Sequence, residues 1–242
     1  RNSPPAILLR VTPAREMGCR DPFGEPDFIP RGTGTTERAL EPSLFRLASA
    51  VRSYYESRLP VTGTIERTAQ VGCRMEGVDF IDLGIPTFAP CRDTIYSVGG
   101  IGTLEGSRPD SFLVAVGINH VATGKARYAN LSVYDLRKMM GVAVATDQRL
   151  RGTADGWVSG ARFDPTRFYV VPLARESVAA KLPVPSTERT VLSIPYLQPG
   201  QPGVPGGARI ALAERAYLEE TTTVGPAPDE VLAPLVVRFR AR

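Results

Sequence analysis

The feature that most limits what this chain can fold into is how often its backbone is punctuated. Among 242 residues, 23 are glycine and 22 are proline. Proline withholds a backbone donor and fixes φ, while glycine readily ends or bends regular structure, so long elements are disfavoured. Such a chain is expected to build short strands joined by many turns. With 43% hydrophobic and 22% charged residues it has the composition of a globular protein, and its length suffices for a full core.

One stretch escapes the punctuation. Between Glu41 and Leu59, Leu44, Leu47, Ala48, Val51 and Tyr55 recur at three- and four-residue spacing, with Pro42 in the first turn and Pro60 as a stop. That pattern predicts one amphipathic helix packed on a core. Elsewhere, apolar runs and alternation predict strands at Thr62–Gly72, Val78–Leu83, from Thr94, and at Phe112–Ile118 and Arg127–Tyr134. Further strands are expected at Phe168–Leu173, Thr190–Pro195, Arg209–Glu220 and Leu235–Arg240. Pro172 should confine its strand to a sheet edge or an end. Leu136–Gly141 reads as one helical turn and Pro195–Gly207 as a long exposed loop.

These elements predict a β-rich α+β fold, a mainly antiparallel sheet in a sandwich- or barrel-like arrangement with one helix near the N-terminus. Residues 1–40 read as an extended arm and surface segment, and 41–242 as a single globular domain. No βαβ alternation occurs. The run Val98-Gly99-Gly100-Ile101-Gly102 lacks the lysine and the helix of a phosphate loop.

Net charge is +4, and all but three of the 29 basic residues are arginines interleaved with acids. A clustered basic face with aromatic platforms is missing, so nucleic acid is not an expected partner. Arg238, Arg240 and Arg242 alternate on the last strand and read as a solvated strand face rather than a phosphate or lipid site. No apolar run approaches the roughly 20 residues of a membrane helix, so no transmembrane segment is expected. The chain starts at Arg1 without methionine. Removal of an export signal, giving an extracellular or periplasmic protein, is the expectation; a cytoplasmic domain is the alternative.

Cys73 and Cys91 flank a turn-rich segment and are expected to form a disulfide, with Cys19 left over; three reduced thiols are the alternative. Such a bridge would add about 3 kcal/mol in the chain-entropy model. With a single histidine and no CxxC pair, no metal site and no cofactor are expected.

Hydrolase and kinase signatures are missing too, so acid/base chemistry would converge on His120, the only imidazole. It lies in the polar connection Asn119–Ala126 between two expected strands. The catalytic candidates are therefore His120 with Asp93 and Tyr128, and the ligand-binding candidates are Arg92, Asn119, Thr123 and Lys125. The structural alternative makes Asn119 a turn former, Gly124 a positive-φ residue, His120 a satisfied histidine and Arg92–Asp93 a turn with a salt bridge. Glu214 and Arg215, costly to bury alone, are expected to pair. Asp79 and Asp82 fall on opposite strand faces, and Asn130-Leu131-Ser132 matches the N-glycosylation pattern.

The function expected from these features is a non-catalytic extracytoplasmic domain that binds a partner protein or a small-molecule ligand, or serves as a structural subunit. The alternative is a hydrolase or lyase using His120 with Asp93 and a tyrosine.

Overall fold

Sheet formation is divided between two layers in the computed structural model, which describes residues 29–71, 92–104, 111–159, 163–199 and 203–242. The first sheet holds β1 (Val61–Arg67), β4 (Phe112–Ile118), β7 (Phe168–Arg175), β8 (Leu192–Ile194) and β10 (Leu235–Ala241), in the order β1-β10-β4-β7-β8. The second holds β2 (Ala69–Val71), β3 (Thr94–Thr103), β5 (Tyr128–Asp135), β6 (Met140–Thr146) and β9 (Arg209–Tyr217), in the order β2-β3-β9-β5-β6. Every pairing is antiparallel except β7 with β8. Helix α1 (Glu41–Glu56) packs on the first sheet, and α2 (Asp147–Leu150) and α3 (Glu176–Ala179) are single turns. The fold is the β-rich α+β arrangement expected from the sequence.

The first sheet is the middle layer. Phe112, Val114, Val116, Val237 and Phe239 face the helix, where Leu47, Ala48, Val51 and Tyr55 are buried against them. Leu113, Ala115, Tyr169, Val171 and Val236 face the second sheet and meet Leu131, Val133, Ile210 and Leu212. Coverage on both sides explains why β4 and β7 are buried at every position and lack polar alternation. Phe112 and Phe239 stack at 4.6 Å, with Tyr55 edge-on to both. Each such contact adds about 0.5–1.5 kcal/mol beyond burial.

Four sequence expectations change. Thr62–Gly72 is two strands in different sheets, because Thr68 leaves the ladder and its N–H and hydroxyl both donate to the Pro234 carbonyl. Pro172 sits in an interior strand, opposite Val114. The register of β8 begins only at Leu173, so at Pro172 the ladder has one neighbour and no donor is missed. Leu136–Gly141 is a tight turn leading into β6 rather than helix. In the Pro195–Gly207 stretch, Arg175 donates to the carbonyls of Val204 and Pro205, each at 2.8 Å, and lies over the Tyr196 ring. Burial lowers the pKa of that guanidinium, and the loop is anchored by it.

The connection that carries His120 also differs from a plain hairpin. β4 and β5 belong to different sheets, so residues 119–127 cross from the middle layer to the outer one. The chain closes on the His120 carbonyl, which accepts from Lys125 N–H and Ala126 N–H at 2.8 and 3.0 Å. Gly124 has φ +78°, as its place in the turn requires. Cys19, Cys73, Cys91, Asp79, Asp82 and the expected strand Val78–Leu83 lie outside the described residues.

Candidate functional site

Two groups of charged residues stand out. The first is buried at the crossing between the sheets. On β9, Glu214 falls on the same face as Leu212 and Ala216, so alternation drives a carboxylate into the interior. His120, 1% exposed, meets it: Nε2 lies 3.3 Å from Glu214 Oε2, and Nδ1 lies 2.9 Å from Glu37 Oε1. The second Glu214 oxygen accepts from the Tyr169 hydroxyl at 2.7 Å. Tyr169 reaches it because Gly117 stands opposite in register; a Cβ there would come within 2.3 Å of the tyrosine ring. Glu37 is completed by the Thr123 hydroxyl and by Leu232 N–H, the latter at 2.9 Å.

Burial works against an imidazolium here, but the flanking carboxylates outweigh it and hold the His120 pKa well above 6.5. Burial likewise raises the Glu37 carboxyl, yet His120, Thr123 and Leu232 N–H more than offset it, leaving its pKa lowered. Burial and the neighbouring Glu214 charge both push the Tyr169 phenol well above 10. His120 is therefore a charged, doubly donating ring, and Tyr169 a neutral donor.

Beside this chain lies Lys125. Its ammonium donates to Glu230 at 2.6 Å, Glu219 at 2.8 Å and the Thr33 hydroxyl at 2.9 Å, which uses all its protons. Glu230 also accepts from the backbone N–H groups of Thr33 and Gly34. Burial opposes the charged lysine, but the two glutamates raise its pKa; burial opposes Glu230, but Lys125 and the two N–H groups lower its pKa. The segment around Thr33 and Glu37 is stapled to the body through these glutamates.

Of the sequence candidates, His120, Thr123 and Lys125 come together in this cluster, on partners that include Glu37, Glu219 and Glu230. The partners of His120 are Glu37 and Glu214, and neither Asp93 nor Tyr128 is among them. Tyr128 is 39% exposed, packs on Tyr217 and accepts from the Asn130 side chain. Asp93 precedes β3, and its carbonyl accepts from Leu218 N–H. Arg92 donates to the Ile29 carbonyl. Asn119 caps the turn by accepting from Ala122 N–H at 3.2 Å. Glu214 and Arg215 do not pair, because adjacent strand residues face opposite ways; Arg215 instead donates to Tyr134 and lies between Tyr96 and Tyr134. Asn130, 5% exposed within β5 and bonded to Ser132 and Tyr128, is not placed to carry a glycan.

The second group lines a cleft of about 700 Å³ at the open end of the sandwich. There the end of β3, in the second sheet, lies beside the paired start of β4 and end of β10, in the first. Arg209, Arg238, Arg240, Glu66, Thr103 and Ser111 are among its walls. Arg238 makes a two-point contact with Glu66 at 2.7 and 3.2 Å and donates to the Ile101 carbonyl at 3.1 Å. An irregularity in the β3–β9 register between Gly99 and Gly102, with Gly100 at φ +58°, sets Ile101 in that position. A Cβ on Gly102 would meet the Arg238 guanidinium at 2.9 Å. Arg209 and Arg240 are exposed, and neither guanidinium has a hydrogen-bond or ion-pair partner among the described residues. The uniform solvated face expected for Arg238, Arg240 and Arg242 is thus three environments: Arg238 is largely buried, Arg240 is open, and Arg242 donates to the carbonyls of Val61 and Glu56.

Among the described residues, no group of three or more His, Cys, Asp or Glu is arranged to hold a metal ion. No described helix is long and apolar enough to cross a membrane. Comparison with protein-family models, with curated proteins and with solved structures finds no match to this chain.

Proposed function

We propose that the chain is a non-catalytic binding domain of an extracytoplasmic protein, engaging a small-molecule ligand or a partner protein through surfaces other than the His120 cluster. One observation carries this reading: the only imidazole is 1% exposed, and both of its nitrogens are engaged by carboxylates. A general acid or base must come within hydrogen-bond reach of the reacting group. The cleft, by contrast, offers charge and hydroxyl groups but no imidazole or thiol among its described walls. The extracytoplasmic assignment draws on the spacing of Cys73 and Cys91 in the sequence.

Chemical access to His120 tests the reading. Native protein is treated with diethyl pyrocarbonate and the peptide containing His120 is examined by mass spectrometry. His120 should stay unmodified until the protein is unfolded. Rapid modification in the native state would favour the alternative, a hydrolase or lyase using His120, with Glu37 and Glu214 beside it in place of Asp93 and Tyr169 in place of Tyr128. Thiol counting with and without reductant tests the compartment. Three free thiols in protein purified without reductant would sink the disulfide and weaken the extracytoplasmic assignment.

A further inference from the structure

We propose that the arginine-lined cleft is a binding site for a small dianion of the phosphate-monoester class. The assignment rests on the reading of the chain as a binding domain, and adds the site and the ligand chemistry. Charge balance sets the ligand's charge. Glu66 neutralises Arg238 through a two-point contact, whereas Arg209 on the second sheet and Arg240 on the first have no ion-pair partner among the described residues. A guanidinium presents its donors in a rigid fork that matches phosphate oxygens, and a phosphate monoester carries about −1.5 to −2 charges at neutral pH. Arg238, fixed by Glu66 and the Ile101 carbonyl, is a preformed wall that needs no reordering when a ligand enters.

The rest of the ligand is set by the remaining walls. Thr103 and Ser111 line the same space, and their hydroxyls have no hydrogen-bond partner among the described residues. They suit a polyol rather than an aromatic base. A volume near 700 Å³ falls in the range of small-molecule sites. Arginines that line one cleft from two different sheets differ from the flat basic face that a lipid surface selects, so a soluble ester is favoured over a headgroup.

Isothermal titration calorimetry with glycerol phosphate at low ionic strength tests the site, using native protein and the variants Arg209→Ser, Arg240→Ser and the double variant. Saturable binding is expected, weakened about tenfold or more by each single change, as for a lost charge-assisted hydrogen bond. The double variant should not bind, nor should native protein bind glycerol. Unchanged melting temperatures would show that the variants fold. No binding by native protein, undiminished binding by the double variant, or binding only to phosphatidylglycerol vesicles would each overturn the cleft assignment without touching the non-catalytic reading. Phosphorus NMR of the same mixtures separates the two: an arginine-dependent release of inorganic phosphate would overturn the non-catalytic reading and leave the site standing.

Discussion

The buried cluster and the open cleft use the same kinds of side chain to opposite ends. In the cluster, His120 and Lys125 have every polar hydrogen committed to glutamates or to Thr33. In the cleft, Arg209 and Arg240 have no partner among the described residues. Ionised groups taken out of water are tolerated only when paired, so their geometry is dictated by the fold they hold together. Groups left in water at the edge of a concavity carry no such obligation and remain free for a ligand. The difference is what the proposed reading rests on: the residue with the richest chemistry, His120, is committed to the framework, and two plain surface arginines are assigned to the proposed site.

If that division is right, removing a charge should unfold the protein in one region and pass unnoticed in the other. The largest effect is expected for Lys125→Met, which strands Glu219 and Glu230 in the interior; urea unfolding should show a loss of about 3–5 kcal/mol. Tyr169→Phe leaves one Glu214 oxygen without its donor and should lose about 1–3 kcal/mol by the same measurement. Gly117→Ala, which drives a methyl into the Tyr169 ring, should lose about 1–3 kcal/mol as an overpacked site. Arg209→Ser and Arg240→Ser should stay within about 0.5 kcal/mol of the parent. A loss comparable to Lys125→Met at either arginine would erase the distinction.

The dependence of stability on pH bears on the same contrast, because the cluster should supply the alkaline limb through His120 and share the acid limb with Asp135, which Arg137 holds below its usual range. The folded pKa of His120 lies above its ordinary 6.5, so its contribution is full below about pH 6.5 and is lost as pH rises through the higher folded value. Glu37 and Glu230 have folded pKa values below 4.5, so their contribution is present above about pH 4.5 and is lost as pH falls through the lower values. The urea midpoint should therefore peak between these limits. His120→Asn should flatten the alkaline limb while leaving the acid limb in place.

Much of the framework was legible in the sequence because it is written in local periodicity. Leu44, Leu47, Ala48, Val51 and Tyr55 mark α1, and the apolar run Phe112–Ile118 coincides with β4. The partition into two sheets was not legible, since it turns on Thr68 giving its donors to Pro234, 166 residues away. The site residues were half legible for the same reason. The loop around His120 announced itself by composition, and Asn119 and Gly124 do what their residue types favour in turns. Glu37, however, sits in a glycine- and threonine-rich segment that reads as solvated, and its partner is 83 residues on. Glu66 and Arg238 are 172 apart, so no local window shows that one arginine of the terminal strand is neutralised and its neighbour is not. Tyr169 could be found only through its register with Gly117.

Because the chain has one histidine, its imidazole gives a single, self-assigned set of NMR signals. Following those signals through a pH titration, with and without glycerol phosphate, tests the separation of framework from site in one experiment. His120 should remain protonated well beyond pH 6.5 and should not respond to the phosphate ester. An ordinary titration near 6.5 that shifts when the ester is added would place His120 in the ligand site and contradict the separation of framework from site.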